Sequence, residues 1–223
     1  MSITKNSKKE QKLNLKISKS RVGTISCSNK KLGCPSWSIP TEMCKTGSKL
    51  AKKSKNICSK CYARNMTNFR SNIHLSWSRN YDKWLNMNSE KEWIESMIYQ
   101  INYACNKMNT NYFRIFVGGD YQNKEMINSF IKIAKKMPHI FFWAPSKEYQ
   151  LLKNIKRVPK NMIIRVSNPL INPRYTHSGH KNTSTSFTKN SHIKLGLVCE
   201  EDCKKCGYAC WDKSVKNITY IVH

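Results

Sequence analysis

Eight of the ten cysteines fall into two groups near opposite ends of the chain. Cys34, Cys44, Cys58 and Cys61 form the first group, with Cys58-Ser-Lys-Cys61 as a CxxC pair. Cys199, Cys203, Cys206 and Cys210 form the second. A two-residue gap lets both sulfurs of a CxxC pair point at one ion within a single turn. Thiolates are soft donors that select zinc or iron–sulfur clusters over hard ions such as Mg²⁺. All eight are therefore read as metal ligands. Cys105 lies on an apolar helical stripe and is read as a core residue.

Other readings of the same cysteines explain less. Positions 199, 203, 206 and 210 also share one helical face, but four cysteines are an odd way to build a core, and Gly207 weakens a helix. Disulfides suit an oxidising compartment, and the N-terminus has no apolar segment of a secretory signal. A redox CxxC alone leaves most of the other cysteines unexplained. With 137 residues between Cys61 and Cys199, a local zinc ribbon spanning both groups is excluded. The spacing Cys199-x3-Cys203-x2-Cys206 is the one radical S-adenosylmethionine enzymes use for a three-thiolate [4Fe–4S] cluster, although those enzymes carry it near the N-terminus. A [4Fe–4S] cluster is the expected cofactor, zinc is the alternative, and S-adenosylmethionine is a candidate co-substrate.

A second set of polar residues follows the predicted strands. Tyr112–Val117 reads as a strand running into Gly118-Gly119-Asp120, Ile140–Ala144 as one running into Pro145-Ser146-Lys147, and Met162–Val166 as one running into Ser167-Asn168. In parallel α/β sheets, ligands bind at the carboxyl ends of the strands. The sequence thus places Asp120, Lys147 and Ser167 as candidate catalytic groups. Gly118, Gly119, Asp120 and Ser146 are candidate cofactor-binding residues on the same rim. His177 and His180 could ligate a metal from a loop, but solvated or hydrogen-bonded histidines are the simpler reading.

The elements that must position these groups can also be read. Ser89 and Glu92 make a capping box, and Ile94, Met97, Ile98, Ile101, Cys105 and Met108 follow on one helical face. Met126, Ile127, Phe130, Ile131, Ala134 and Met137 make another stripe, stopped by Pro138. A short helix is predicted over 148–155 and a closing strand over 217–222, while 168–195 reads as a long loop. Strand and helix alternation at this spacing predicts an α/β fold of βαβ units with a mainly parallel sheet, of which a partial TIM-like barrel is one form. Residues 1–21 read as a basic, partly disordered arm. Residues 22–223 read as a single α/β domain with Cys-rich ends at 22–64 and 196–214, the first of them a loop held by something other than a core.

Charge and composition bound the partners. Basic residues number 40 and acidic residues 13, giving +27. Such a balance attracts nucleic acid electrostatically, yet 32 of the basic residues are Lys, beside 23 Asn, which is also what an AT-rich genome supplies. No apolar run is long enough to span a membrane, so a protein of the cell interior, neither secreted nor membrane-bound, is expected.

The segment Ser38-Ile-Pro-Thr-Glu-Met-Cys44-Lys-Thr-Gly47-Ser-Lys-Leu-Ala51, followed by Ile57-Cys58-Ser-Lys-Cys61-Tyr62-Ala63, resembles the signature of the phage gene product 88 family. So do Phe113-Arg114 before Gly119-Asp120, Ile164-Arg165-Val166-Ser167 and Asn182-Thr-Ser-Thr185. Cys203-Lys-Lys-Cys206-Gly-Tyr-Ala-Cys210-Trp211 and Val215-Lys-Asn217-Ile-Thr-Tyr220 continue the likeness in the same order. The family is distantly similar to radical S-adenosylmethionine proteins, and the resemblance implies a phage and host-cell setting but no settled activity.

Two functions are carried forward. One is an iron–sulfur enzyme, radical S-adenosylmethionine-like, acting on nucleic acid or nucleotides. The other is a non-catalytic, zinc-stapled nucleic-acid-binding protein, with Trp37, Tyr62, Trp77 and Trp211 as stacking candidates.

Overall fold

The structure is a computed structural model that describes residues 5–222 apart from Lys156 and Ser178. In chain order the helices and strands are α1 (Lys5–Val22), β1 (Ser36–Trp37), α2 (Lys45–Ala51), α3 (Tyr62–Phe69), α4 (Ser71–Leu85), α5 (Glu90–Met108) and β2 (Tyr112–Ile115). They continue with α6 (Lys124–Lys136), β3 (Phe141–Ser146), α7 (Tyr149–Leu152), β4 (Met162–Ile171), β5 (Thr183–Thr188), β6 (Leu197–Val198) and β7 (Asn217–Val222). The strands form one seven-stranded sheet in the order β1-β2-β3-β4-β5-β7-β6, and every strand pair is parallel. The α/β fold with a parallel sheet is thus as the βαβ pattern required. The sheet is open, with β1 and β6 at its edges, so a closed barrel is not formed among the described residues.

The two sheet faces are covered differently. Phe113 and Ile115, Phe142 and Ala144, and Met162 and Val166 point to one face and pack with Trp93, Met97, Ile101, Met126, Phe130 and Ile133 of α5 and α6. These are the predicted stripes, and Cys105 lies among them. Ser89 caps α5, its Oγ accepting from Glu92 N–H. The alternate residues Trp143, Ile163 and Ile218 face the other way and pack with Leu32, Cys34, Cys210 and Trp211. That second cover is the Cys-rich segment Cys199–Lys216, which connects β6 to β7.

Several expectations need correction. The arm expected at 1–21 is helical over Lys5–Val22; residues 1–4 lie outside the described residues. Its Lys, Gln, Leu and Glu are good helix formers, Gly23 closes it with N–H donating to Lys19 O at φ 77°, and Val22 is fully buried. The loop at 22–64 is not independent of the core. Ser36–Trp37 pairs with β2, and Trp37 and Ile39 are fully buried. The expected loop at 168–195 contains β5, a central strand. Its residues Thr-Ser-Thr-Ser-Phe-Thr give little apolar signal, yet they are buried by pairing hydroxyls: Ser184 Oγ donates to Ser167 Oγ at 3.0 Å, and Thr185 and Thr219 hydroxyls meet at 2.9 Å. Strand β7 spans the predicted residues but lies inside the sheet, with β6 outside it.

Candidate functional site at the strand-end rim

The loop bearing Cys44, Cys58 and Cys61 sits over the carboxyl ends of β2, β3 and β4. Lys55 O accepts from Ile171 N–H at 3.0 Å, which fixes it to the end of β4. Lys45 Nζ donates to Gln122 O at 2.8 Å, and Gln122 Nε2 donates to both Met43 O and Asp120 O. Thr46 gives its N–H and its hydroxyl to the two oxygens of Glu148, at 2.8 and 2.7 Å. These bonds bind the first thiol group to the segments that follow β2 and β3.

Within that loop, Cys44 is the residue before α2 and Cys61 the residue before α3. Gly47 lies between Cys44 and Cys58: a Cβ there would stand 3.6 Å from Cys58 Sγ and 3.8 Å from Cys44 Sγ. Burial pushes the Cys44 thiol up, the nearby Asp120, Cys61 and Cys58 add to the rise, and Lys147 opposes it. Burial likewise raises Cys58, with Lys147 again opposing. Lys147, a candidate catalytic group from the sequence, is therefore placed where its charge acts on sulfur.

Asp120 is the hub of the rim and only 6% exposed. Its Oδ1 accepts from Ser146 Oγ and Tyr121 N–H, and its Oδ2 accepts from Lys147 N–H, all within 2.7–2.8 Å. Burial outweighs these donors and pushes its carboxyl up to about 6. Ser167 joins through Tyr149, whose hydroxyl donates to Ser167 O at 2.8 Å. Tyr149 lies within electrostatic range of Cys58, Asp120 and Glu148 and stacks on His177 at 4.6 Å. Asp120, Ser146 and Lys147 thus meet at the ends of β2 and β3, whereas Ser167, expected just past a strand, lies within β4, which runs on to Ile171, and its hydroxyl pairs with Ser184. Gly118 and Gly119 are there for a different reason: their Cβ positions are filled, by the Trp77 ring and by Ile39. Their bare faces meet protein.

The remaining thiols gather elsewhere. Cys34 leaves the first sequence group and lies near Cys203, packed with Cys199, Cys203, Cys206 and Cys210 on the second sheet face. Arg114, over the Trp143 ring at 4.3 Å, acts electrostatically on Cys34, Cys199, Cys203 and Cys210. So the cysteines with the radical-enzyme spacing are not those beside Asp120. Among the described residues, no three Cys, His, Asp or Glu side chains close on one point as a ready metal site. The donor sets nonetheless suit soft ions, with three thiols beside a carboxyl at the rim and five thiols beside an arginine on the second face.

Sequence reading missed Thr46, Gln122, Glu148, Tyr149 and Arg114. Glu148 and Tyr149 directly follow the strand-end motif and were within reach of it; the others depend on contacts between distant segments. Of the stacking candidates, Trp37, Trp77 and Trp211 are buried, and Tyr62 is 68% exposed. No helix among the described residues is long and apolar enough to cross a membrane.

Fold and rim together define a parallel α/β protein whose strand-end loops carry a cysteine site. The chain matches the family model described as Gene product 88 over residues 1–219, and it belongs to that family. No curated protein and no solved structure matches it.

Proposed function

We propose that the protein is an iron–sulfur enzyme of the radical S-adenosylmethionine type, acting on nucleic acid or a nucleotide, with Cys44, Cys58 and Cys61 as the cluster ligands. The supporting observation is that these three thiols, and not the other five, share the strand-end rim with Asp120 and Lys147. Three thiolates leave one iron of a [4Fe–4S] cluster free, and such a cluster, when bound, supplies one-electron reduction. The chain's own groups have separate tasks. Lys147 offsets thiolate charge. Ser146 and the Lys147 N–H hold the Asp120 carboxyl in place, leaving it to accept from an amino or ribose hydroxyl group. Glu148 fixes the thiol loop through Thr46. Strands β1 to β5 run in sequence order, the arrangement of a partial TIM-like barrel. The net charge of +27 favours a polyanionic substrate.

Anaerobic purification followed by iron and sulfide analysis tests the reading. About four iron per chain at the rim is expected, lost in the Cys58→Ser/Cys61→Ser variant, with 5′-deoxyadenosine released on reduction with S-adenosylmethionine. Colourless protein holding zinc alone, with no iron after reconstitution, rejects it in favour of a zinc-stapled binding protein.

A further inference from the structure

We infer that zinc draws Cys199, Cys203, Cys206 and Cys210, which pack together without closing on one point, into a second, closed four-thiolate site that replaces the missing crossover helix between β6 and β7. The inference does not depend on the iron reading at the rim. Adjacent parallel strands need a crossover, and that crossover is usually a helix packed on the sheet. Here the crossover Cys199–Lys216 contains only the single 3-10 turn Ala209–Trp211. Its carboxyl half is held by Arg165, which is fully buried and donates to the carbonyls of Ala209, Cys210, Asp212 and Val215.

Among the described residues its amino half has no buried side chain that gathers its carbonyls in this way, and its main tie is the Tyr208 ring, stacked on Tyr112 at 3.9 Å. Cys203 N–H donates to Lys31 O at 3.0 Å, Tyr208 OH to Gly33 O at 3.2 Å, and Lys31 pairs with Glu201 at the surface. Against these ties stand two non-glycine residues in left-handed conformation, Glu201 at φ 63° and Tyr208 at φ 58°, which side chains disfavour. What this backbone does accomplish is to aim at sulfur. The turn at Glu201 brings its N–H to Cys199 Sγ at 3.4 Å. Cys203-x2-Cys206 is followed by Gly207 at φ 60°, where a Cβ would meet nothing within 4 Å. Glycine is needed there for the backbone turn and not for space, as a CxxC knuckle requires.

The surroundings fit a closed zinc site. Zinc with four thiolates carries two negative charges, and Arg114 lies in range of Cys199, Cys203 and Cys210. Trp143, Trp211, Ile163 and Tyr208 pack around the thiols, which suits a structural ion with no open position. Cys34 sits beside Cys203 but belongs to another segment, tied to β2 where Pro35 O accepts from the Arg114 N–H, so the crossover supplies its four thiols without it.

Metal analysis of the full chain, grown with both zinc and iron, decides the matter. About one zinc per chain is expected, falling at least tenfold in Cys203→Ser/Cys206→Ser and unchanged in Cys34→Ser and in Cys58→Ser/Cys61→Ser. Cobalt substitution of the wild type, which avoids variants that fail to fold, should give the absorption bands of a tetrahedral four-thiolate centre. Absence of zinc, zinc lost on Cys34→Ser, or cobalt bands of another geometry each overturns the inference. Iron at the rim is counted separately, so failure here leaves that reading intact, and the reverse.

Discussion

At the rim, Cys44, Cys58 and Cys61 sit among charged and polar partners: Asp120, Lys147, Glu148 and Tyr149. Across the sheet, Cys199, Cys203, Cys206 and Cys210 sit among Trp143, Trp211, Tyr208 and Ile163. The first loop is held by hydrogen bonds to strand ends, where polar groups remain to meet a ligand. The second is held by apolar packing and by one buried arginine, whose donors all go to backbone carbonyls. The difference teaches that cysteine spacing identifies a metal donor, while the surroundings decide whether the ion works or merely holds.

The largest effect should come from Arg165→Met. Arg165 donates to four backbone carbonyls of the crossover; Ala209 O keeps the Asp212 N–H and Val215 O keeps Asn182 Nδ2, so leaving the Cys210 and Asp212 carbonyls without their donor should cost about 4 kcal/mol. Urea unfolding measures this, and zinc should dissociate in the same variant while rim iron stays bound. A loss under about 1 kcal/mol would mean that the crossover is not anchored where the geometry places its anchor.

At the rim the matching test is Asp120→Asn. Burial raises the Asp120 carboxyl from 3.8 to about 6 in the folded state. Between these values the folded chain holds a proton that the unfolded chain has released, so stability falls as pH rises from about 4 to about 6. The loss amounts to about 3 kcal/mol. Asp120→Asn should abolish that slope, measured as the difference between wild type and variant in urea midpoints at each pH. An unchanged slope would show that Asp120 does not titrate in the folded state as its burial requires.

Strand β5 shows what could not be seen in the sequence. Asn217 Nδ2 donates to Thr185 Oγ1 at 2.9 Å and to Leu195 O at 2.6 Å, and its Oδ1 accepts from Thr183 Oγ1 at 2.8 Å. A strand buried through hydroxyl pairing has no apolar alternation, so periodicity reads it as a loop. The α5 and α6 stripes, the β2 and β3 ends and Asp120 were legible because each is local: a cap, a period, a strand followed by its turn. The regrouping of Cys34 with the carboxyl-terminal thiols was not, because it depends on Lys31 and Gly33 meeting the 203–208 turn. Asn217→Ala should lose about 2 kcal/mol without loss of either metal, since the bonds it breaks join β7 to β5 and to Leu195 O and none reaches a thiol. Release of zinc would tie that polar row to the crossover instead.

The smallest and most selective change is Tyr220→Phe. The Tyr220 hydroxyl stands 3.2 Å from Cys210 Sγ, on the strand that ends the crossover. As a donor to a thiolate it would stabilise the charged sulfur and orient the ligand, the part that outer partners play around metal-bound thiolates and imidazoles. Its removal should cost only about 1 kcal/mol in unfolding, yet zinc affinity measured by chelator competition should fall by about tenfold. Iron at the rim should not change, because Tyr220 lies on β7, which β4 and β5 separate from β3 in the sheet. Equal loss of both metals would show that one ionic network serves both groups of thiols. Loss of zinc alone would make the strand-end rim and the second sheet face independent centres, each with its own donors and its own counter-charge, Lys147 on one and Arg114 on the other.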